Sequence, residues 1–454
     1  MLKKNVRMWL VFALVLSLVA VFAVGCPDED EPATDPGEDP EDEAEEVVIG
    51  YTGPLSGPAA EYGEDCRDGV HMAIKELNDA GGITVDGQDY KFTLEALDDG
   101  TDPGQAVSNA ERLRDVEDAI AVWNPVATTI NPMLEVNEEP GAEFLVMGYT
   151  STPEELEADN ELVTWIPPAF TGAYVQGLGN WVHEDGWEDV AMLVTAGAYG
   201  DGWRNLFEIY WEEYLGGNIV ADHPANYYEQ TDFSTEITAI MGEDPDGILL
   251  GGPSAPTALV IEQLREMGYD GGIMIIDQAK INYLEEVMGG LDLLDQTYAI
   301  GPPEETFSPG SENFQQMVAE EFEPTAVVWE HALNFNAMII LARAMEEAGT
   351  VDDPHAIRDA MPDVFPILDA EEDAPLATEY FGIYDTGRFK GLASLCKVED
   401  GEYEEVITNV WFAETEEEYD EILQQVTLPE GDTPDDHDFM WLEGENIYTP
   451  IPME

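Results

Sequence analysis

The chain has 454 residues, with 98 Asp+Glu against 16 Lys+Arg and a formal net charge of −82. So few cations exclude a nucleic-acid binder, which needs Lys/Arg to displace phosphate counterions, and exclude direct electrostatic attachment to anionic lipid. At 44% hydrophobic residues, with 10 Trp, 18 Tyr and 16 Phe, the chain has the material for ordinary cores and is not compositionally disordered.

The first element is an address. Lys3, Lys4 and Arg7 precede an almost wholly apolar run from Met8 to Val24, which reads as a secretory signal over residues 1–25. Ala23-Val24-Gly25-Cys26 resembles a bacterial lipobox, with Ala23 where Leu is usual, and predicts lipid on Cys26. Residues 26–46 are acidic, Pro-rich and free of aromatics, as expected of a flexible tether. With the +3 of the leader and the −12 of residues 28–46 removed, −73 remains on the body. Such a surface suits work in high salt, where a Debye length of roughly 3 Å at 1 M screens the self-repulsion.

From Val47 short apolar runs alternate with amphipathic stretches. Glu46 to Gly50 predicts a strand, and the Gly/Pro sequence TGPLSGPAAEYG a loop. Asp65 to Ala80 predicts a helix, with Val70, Ala73, Ile74 and Leu77 on one face and Gly81-Gly82 as its stop. Further strands are predicted at Lys91–Ala96, Ala119–Trp123 and Glu143–Met147, with a helix after Asp102-Pro103. The rhythm restarts with strands at Val190–Val194, Gly247–Leu250 and Ile273–Ile276, helices at Trp203–Tyr214 and Pro256–Met267, and a long helix from Ala326 to Ala348. Strand–helix alternation predicts an α/β fold of two doubly wound, parallel-sheet lobes, with ligand bound in the cleft at the carboxyl ends of the strands.

Catalytic signals are absent. The six His are scattered without zinc spacing, and neither the nucleophile elbow, the P-loop nor a G-x-G-x-x-G after the first strand occurs. The chain is therefore expected to be no enzyme, with no metal and no cofactor. Cys66 and Cys396 form no C-x-x-C, and their unpaired reading is stronger than a disulfide.

The series GPLSGPAAEYG, NDAGGI and LDDGTDPGQAV after the first strand, with the later AYGDGW, DFSTEI and FGIYDTGRFKG, resembles the type 1 periplasmic binding proteins. The likeness is to the branched-chain amino acid group that serves ATP-binding-cassette importers, and runs from about Val47 to Lys397. It implies lobes built from 47–167 plus 302–390 and from 168–301 plus 391–412. Three hinge crossings fall near Ile166–Pro168, Ile300–Pro303 and Lys390, and an acidic appendage occupies 413–454. It also implies an exported monomer, at the outer face of the cytoplasmic membrane or in the periplasm, that captures a small ligand, a neutral amino acid above all, and passes it to a membrane permease. An amide- or urea-like solute is the second reading, because Ala127 and Pro253 depart from the amino acid pattern; a ligand sensor of the same fold is the third.

Carried over by position, Tyr62 and Tyr199 are the aromatics over the ligand. Thr128 stands in for the hydroxyl lost at Ala127, Thr150 and Ser151 supply backbone N–H and hydroxyl, and Asp277 meets the ligand ammonium. Chemistry agrees with that set. A ligand carboxylate wants hydroxyls and N–H groups at helix N-termini, which Thr128, Thr129, Thr150 and Ser151 would supply. An ammonium wants a carboxylate, and Asp277 directly follows an apolar strand. An apolar side chain wants a wall, which Leu55, Tyr62, Trp123 and Tyr199 offer. Lys280 is the base near this site.

Overall fold

The computed structural model describes residues 44–151, 160–368 and 378–442. The expected signal segment, Cys26 and nearly all of the tether lie outside them. Among the described residues no helix is long and apolar enough to cross a membrane.

The first lobe is built on six strands: β1 (Glu45–Gly53), β2 (Ile83–Val85), β3 (Gln88–Asp98), β4 (Ala121–Asn124), β5 (Leu145–Gly148) and β6 (Val163–Trp165), in the order β2-β3-β1-β4-β5-β6. All are parallel except the edge strand β2. The second lobe holds β7 (Asp189–Val194), β8 (Asn218–Asp222), β9 (Gly247–Gly251), β10 (Gly272–Ile275) and β11 (Thr297–Ile300) as a parallel set. The hairpin β12 (Tyr380–Ile383) and β13 (Phe389–Gly391) stands between the lobes in sequence. Then β14 (Ala393–Glu399) and β15 (Glu402–Asn409) extend the second sheet antiparallel, and β16 (Asp438–Met440) closes its edge. Part of the acidic C-terminal segment thus belongs to this sheet.

The central strands read as unbroken apolar runs because both of their faces are covered. Ile248 and Leu250 of β9 pack in one core while Leu249 packs in the other. Two helices begin a full turn or more before the expected residue. The helix expected from Asp65 begins at Ala60, and the one expected around Trp203 begins at Ala198. In both, residues assigned to a Gly-rich loop form the first helical turn.

The chain passes between sheets three times: after β6, after β11 and between β13 and β14. The first two passages carry proline pairs, Pro167-Pro168 and Pro302-Pro303. Trp329 Nε1 donates to the Gly301 carbonyl at 2.7 Å, and Trp411 Nε1 to the Gly391 carbonyl at 2.8 Å. Arg388, wholly buried, donates to the carbonyls of Pro167 at 2.7 Å and Thr150 at 3.2 Å, and lies over the Trp165 ring. It fastens the third passage to the first. Arg388→Met should orphan these buried carbonyls and destabilise the protein by about 1–3 kcal/mol for each left unpaired. Urea unfolding in molar salt checks this; an unshifted midpoint would sink it.

Candidate functional site

The aromatics Tyr62 and Tyr199 are placed by the same device in each lobe. Each lies in the first turn of the helix that follows a strand, and each is followed by glycine. A Cβ on Gly63 would sit 1.9 Å from the Pro54 carbonyl oxygen, and one on Gly200 would sit 1.8 Å from that of Thr195. Only glycine lets the helix start press so closely on the strand-end loop. Tyr62 donates to the Pro125 carbonyl at 2.9 Å, and its ring centroid lies 6.3 Å from that of Tyr149. Tyr199 packs edge-on against Phe170.

Asp277, two residues past β10, is the centre of the arrangement. Tyr199 OH donates to its Oδ1 at 2.5 Å, and Trp203 Nε1 donates to the same oxygen at 2.9 Å. Ser151 Oγ lies 2.6 Å from Oδ2 and 2.8 Å from the Tyr199 oxygen. With the tyrosine proton directed to Asp277, the single serine proton serves either neighbour. Burial, then the Asp277 charge, pushes the Tyr199 phenol well above its ordinary range, so it stays a donor. Ser151 belongs to the first lobe; Tyr199, Trp203 and Asp277 belong to the second. The carboxylate therefore gathers neutral donors from both sides. Lys280 donates to the Asp277 main-chain carbonyl and pairs with Glu330, at the start of the helix Trp329–Ala348, at 2.8 Å.

The remaining expected residues divide. Thr150 is buried, and its carbonyl accepts from Arg388. Leu55 is half-buried against the core, its N–H donating to Asp98 at 3.0 Å. Thr128 is exposed in the first turn of the helix Ala127–Met133. Thr129 is wholly buried, and its hydroxyl faces Asn124 Oδ1 at 2.7 Å and the Val126 carbonyl at 2.9 Å. Its proton is committed inside the loop, which corrects its assignment as a carboxylate donor. Trp123 is 1% exposed within the core, which makes it a packing residue; its Nε1 has no hydrogen-bond partner. Cys66 and Cys396 are free and buried.

Trp203 was not among the expected site residues. It stands four positions after Tyr199, hence on the same helix face, so helical spacing was the signal available. Glu330 carried no signal among 98 acids.

The chain is similar to known proteins over most of this body. A Leu/Ile/Val-binding protein homologue of Brucella melitensis is 25% identical over 358 residues, 76% of this chain and 94% of that protein. Among solved structures, the branched-chain amino acid transporter substrate-binding protein of Streptococcus pneumoniae, in complex with isoleucine, aligns with TM-score 0.66 and 18% identity, covering 80% of this chain and 99% of that one. A Rhodopseudomonas palustris solute-binding protein in complex with 4-hydroxybenzoate aligns equally, with TM-score 0.66 and 16% identity over 79% and 95%. These likenesses show the two-lobed type 1 fold. Residues 46–401 match the model of a single family. The chain belongs to the periplasmic binding proteins, a family of substrate-binding proteins rather than enzymes.

Proposed function

We propose that the protein captures a small neutral amino acid between its lobes, outside the cytoplasmic membrane, and hands it to the permease of an ATP-binding-cassette importer. The observation that carries this reading is the Asp277 carboxylate with its donors from both lobes. A carboxylate has about four acceptor sites, and three protein donors leave room for one more. An ammonium there gains a charge-assisted hydrogen bond, with the tyrosines as walls. Closing the lobes buries the ligand and converts its contacts into a shift of the open–closed equilibrium. The names of the relatives support an amino acid.

The same reading places the protein on the membrane surface as a monomer, held through lipid on Cys26. Its acidic surface fits a high-salt setting. A neutral amide or similar uncharged solute is the second reading. Ala127 and Pro253, the latter capping the helix Ser254–Glu266, favour it by departing from the amino acid pattern.

Three outcomes are expected. Asp277→Asn keeps the shape and removes the charge, worth about 1.5–3 kcal/mol, so an amino acid should bind roughly ten- to a hundredfold more weakly in calorimetric titration. Equal affinities for wild type and variant would refute the ammonium anchor and favour the uncharged solute. In low salt, near 0.01 M, the Debye length grows to about 30 Å and repulsion acts across the whole body, so the melting temperature should fall. An unchanged value between molar and millimolar salt would defeat the halophilic reading. Cys26→Ser should release the protein from the membrane or leave its precursor uncleaved, read by cell fractionation and mass; normal cleavage with full membrane retention would exclude the lipid anchor.

A further inference from the structure

The first turn of the helix Trp329–Ala348 holds a carboxylate that ammonium capture by Asp277 does not use. Glu330 is 2% exposed. A carboxylate so placed is costly unless both its charge and its oxygens are met. The charge is met: Lys280 Nζ lies 2.8 Å from Oε1, and the helix N-terminus adds a favourable dipole. The second oxygen is not. Oε2 is fully buried and has no hydrogen-bond partner.

Glu330 lies among the residues already placed around Asp277. The lysine that pairs with it also holds the Asp277 carbonyl. Its charge is felt at the phenols of Tyr62, Tyr149 and Tyr174, and the last of these feels Asp277 as well. Tyr174 thus stands under the influence of both carboxylates, and Lys280 touches Glu330 and the Asp277 main chain.

The charge balance decides what Oε2 lacks. Burial, with the Glu330 charge behind it, pushes the neighbouring Asp65 carboxyl up to about 9, and burial holds His331 down to about 4. At neutral pH neither adds a charge. Lys280 and Glu330 cancel. A second cation would be in excess there, whereas an uncharged donor would complete the site.

We infer that Glu330 is a specificity residue: its free oxygen takes an uncharged N–H or O–H donor from the ligand's side chain. The ligand class is then small amino acids bearing a hydroxyl or carboxamide, not wholly aliphatic ones. This rests on the amino acid reading of Asp277. A site built around a hydrogen bond rejects the shape-matched analogue that lacks it, because the site's own polar atom stays unpaired.

The test uses two shape-matched pairs, threonine against valine and asparagine against leucine, titrated calorimetrically into the full chain in molar salt. Wild type should favour threonine and asparagine by roughly tenfold or more. The double variant Lys280→Met/Glu330→Met removes both charges at once, an exchange that folds often accept. In it the preference should vanish or invert toward valine and leucine. Glu330→Gln, which leaves Lys280 an oxygen to bond, should reduce the preference if the double variant fails to fold. Wild type that binds both members of each pair alike would overturn the inference and leave Asp277 as the anchor. A preference that survives in the folded double variant, or unreduced in Glu330→Gln, would overturn it too. Binding of none of the four would overturn this inference together with the reading it rests on.

Discussion

The carboxylate of Asp277 is the point on which the two lobes agree. A charge at the end of a buried parallel strand must be met by donors, and here they are neutral groups: a serine from one lobe, a tyrosine and an indole from the other. Neutral donors satisfy the oxygens without cancelling the charge. The oxygens are thus fixed in place by groups that carry no charge of their own. Lys280, three residues on, ties the same loop to the opposite lobe through Glu330. Two side chains of one short loop thus meet groups from the first lobe, Asp277 through Ser151 and Lys280 through Glu330.

Scarcity of cations gives each one weight. With 16 Lys+Arg in the whole chain, several are used inside the fold instead of on its surface. Arg265 donates to the carbonyls of Tyr269, Gly271, Leu293 and Asp295, closing the end of its helix and the next loop together. Arg358 reaches the Val163 carbonyl, and Arg388 those of Thr150 and Pro167. A planar guanidinium with five donors in a fixed fork gathers more carbonyls from separate segments than the three-donor ammonium of lysine. Acids dominate the surface, while these internal cations act as fasteners of main chain.

The strand pattern of both lobes was legible because parallel strands covered on two faces are apolar runs of fixed length, such as Val190–Val194 and Ile273–Ile276. The meeting of Tyr199 with Asp277 was legible from the motifs around them. The helix starts at Ala60 and Ala198 were not, because Gly63 and Gly200 look like loop residues until the carbonyls they accommodate are known. The hydroxyls could not be sorted by sequence either. Thr129 and Ser151 both follow parallel strands of the first lobe, yet one hydroxyl turns inward to Asn124 and the other crosses to Asp277. Which partner wins depends on side chains far away in sequence. Glu330 is hidden for the same reason: its distinction lies in Lys280, fifty positions earlier.

The proline pairs at two of the three interlobe passages bear on how the open form behaves. Proline fixes φ, so Pro167-Pro168 and Pro302-Pro303 contribute little torsional range. The carbonyls of Gly301 and Gly391 are pinned by indoles on either side. Rotation of one lobe against the other must then be absorbed by the few bonds of the passages that neither the prolines nor these indoles hold. An open form confined to one narrow track explores few orientations. Closing it forfeits correspondingly little disorder, so more of each contact made with the captured solute survives as affinity.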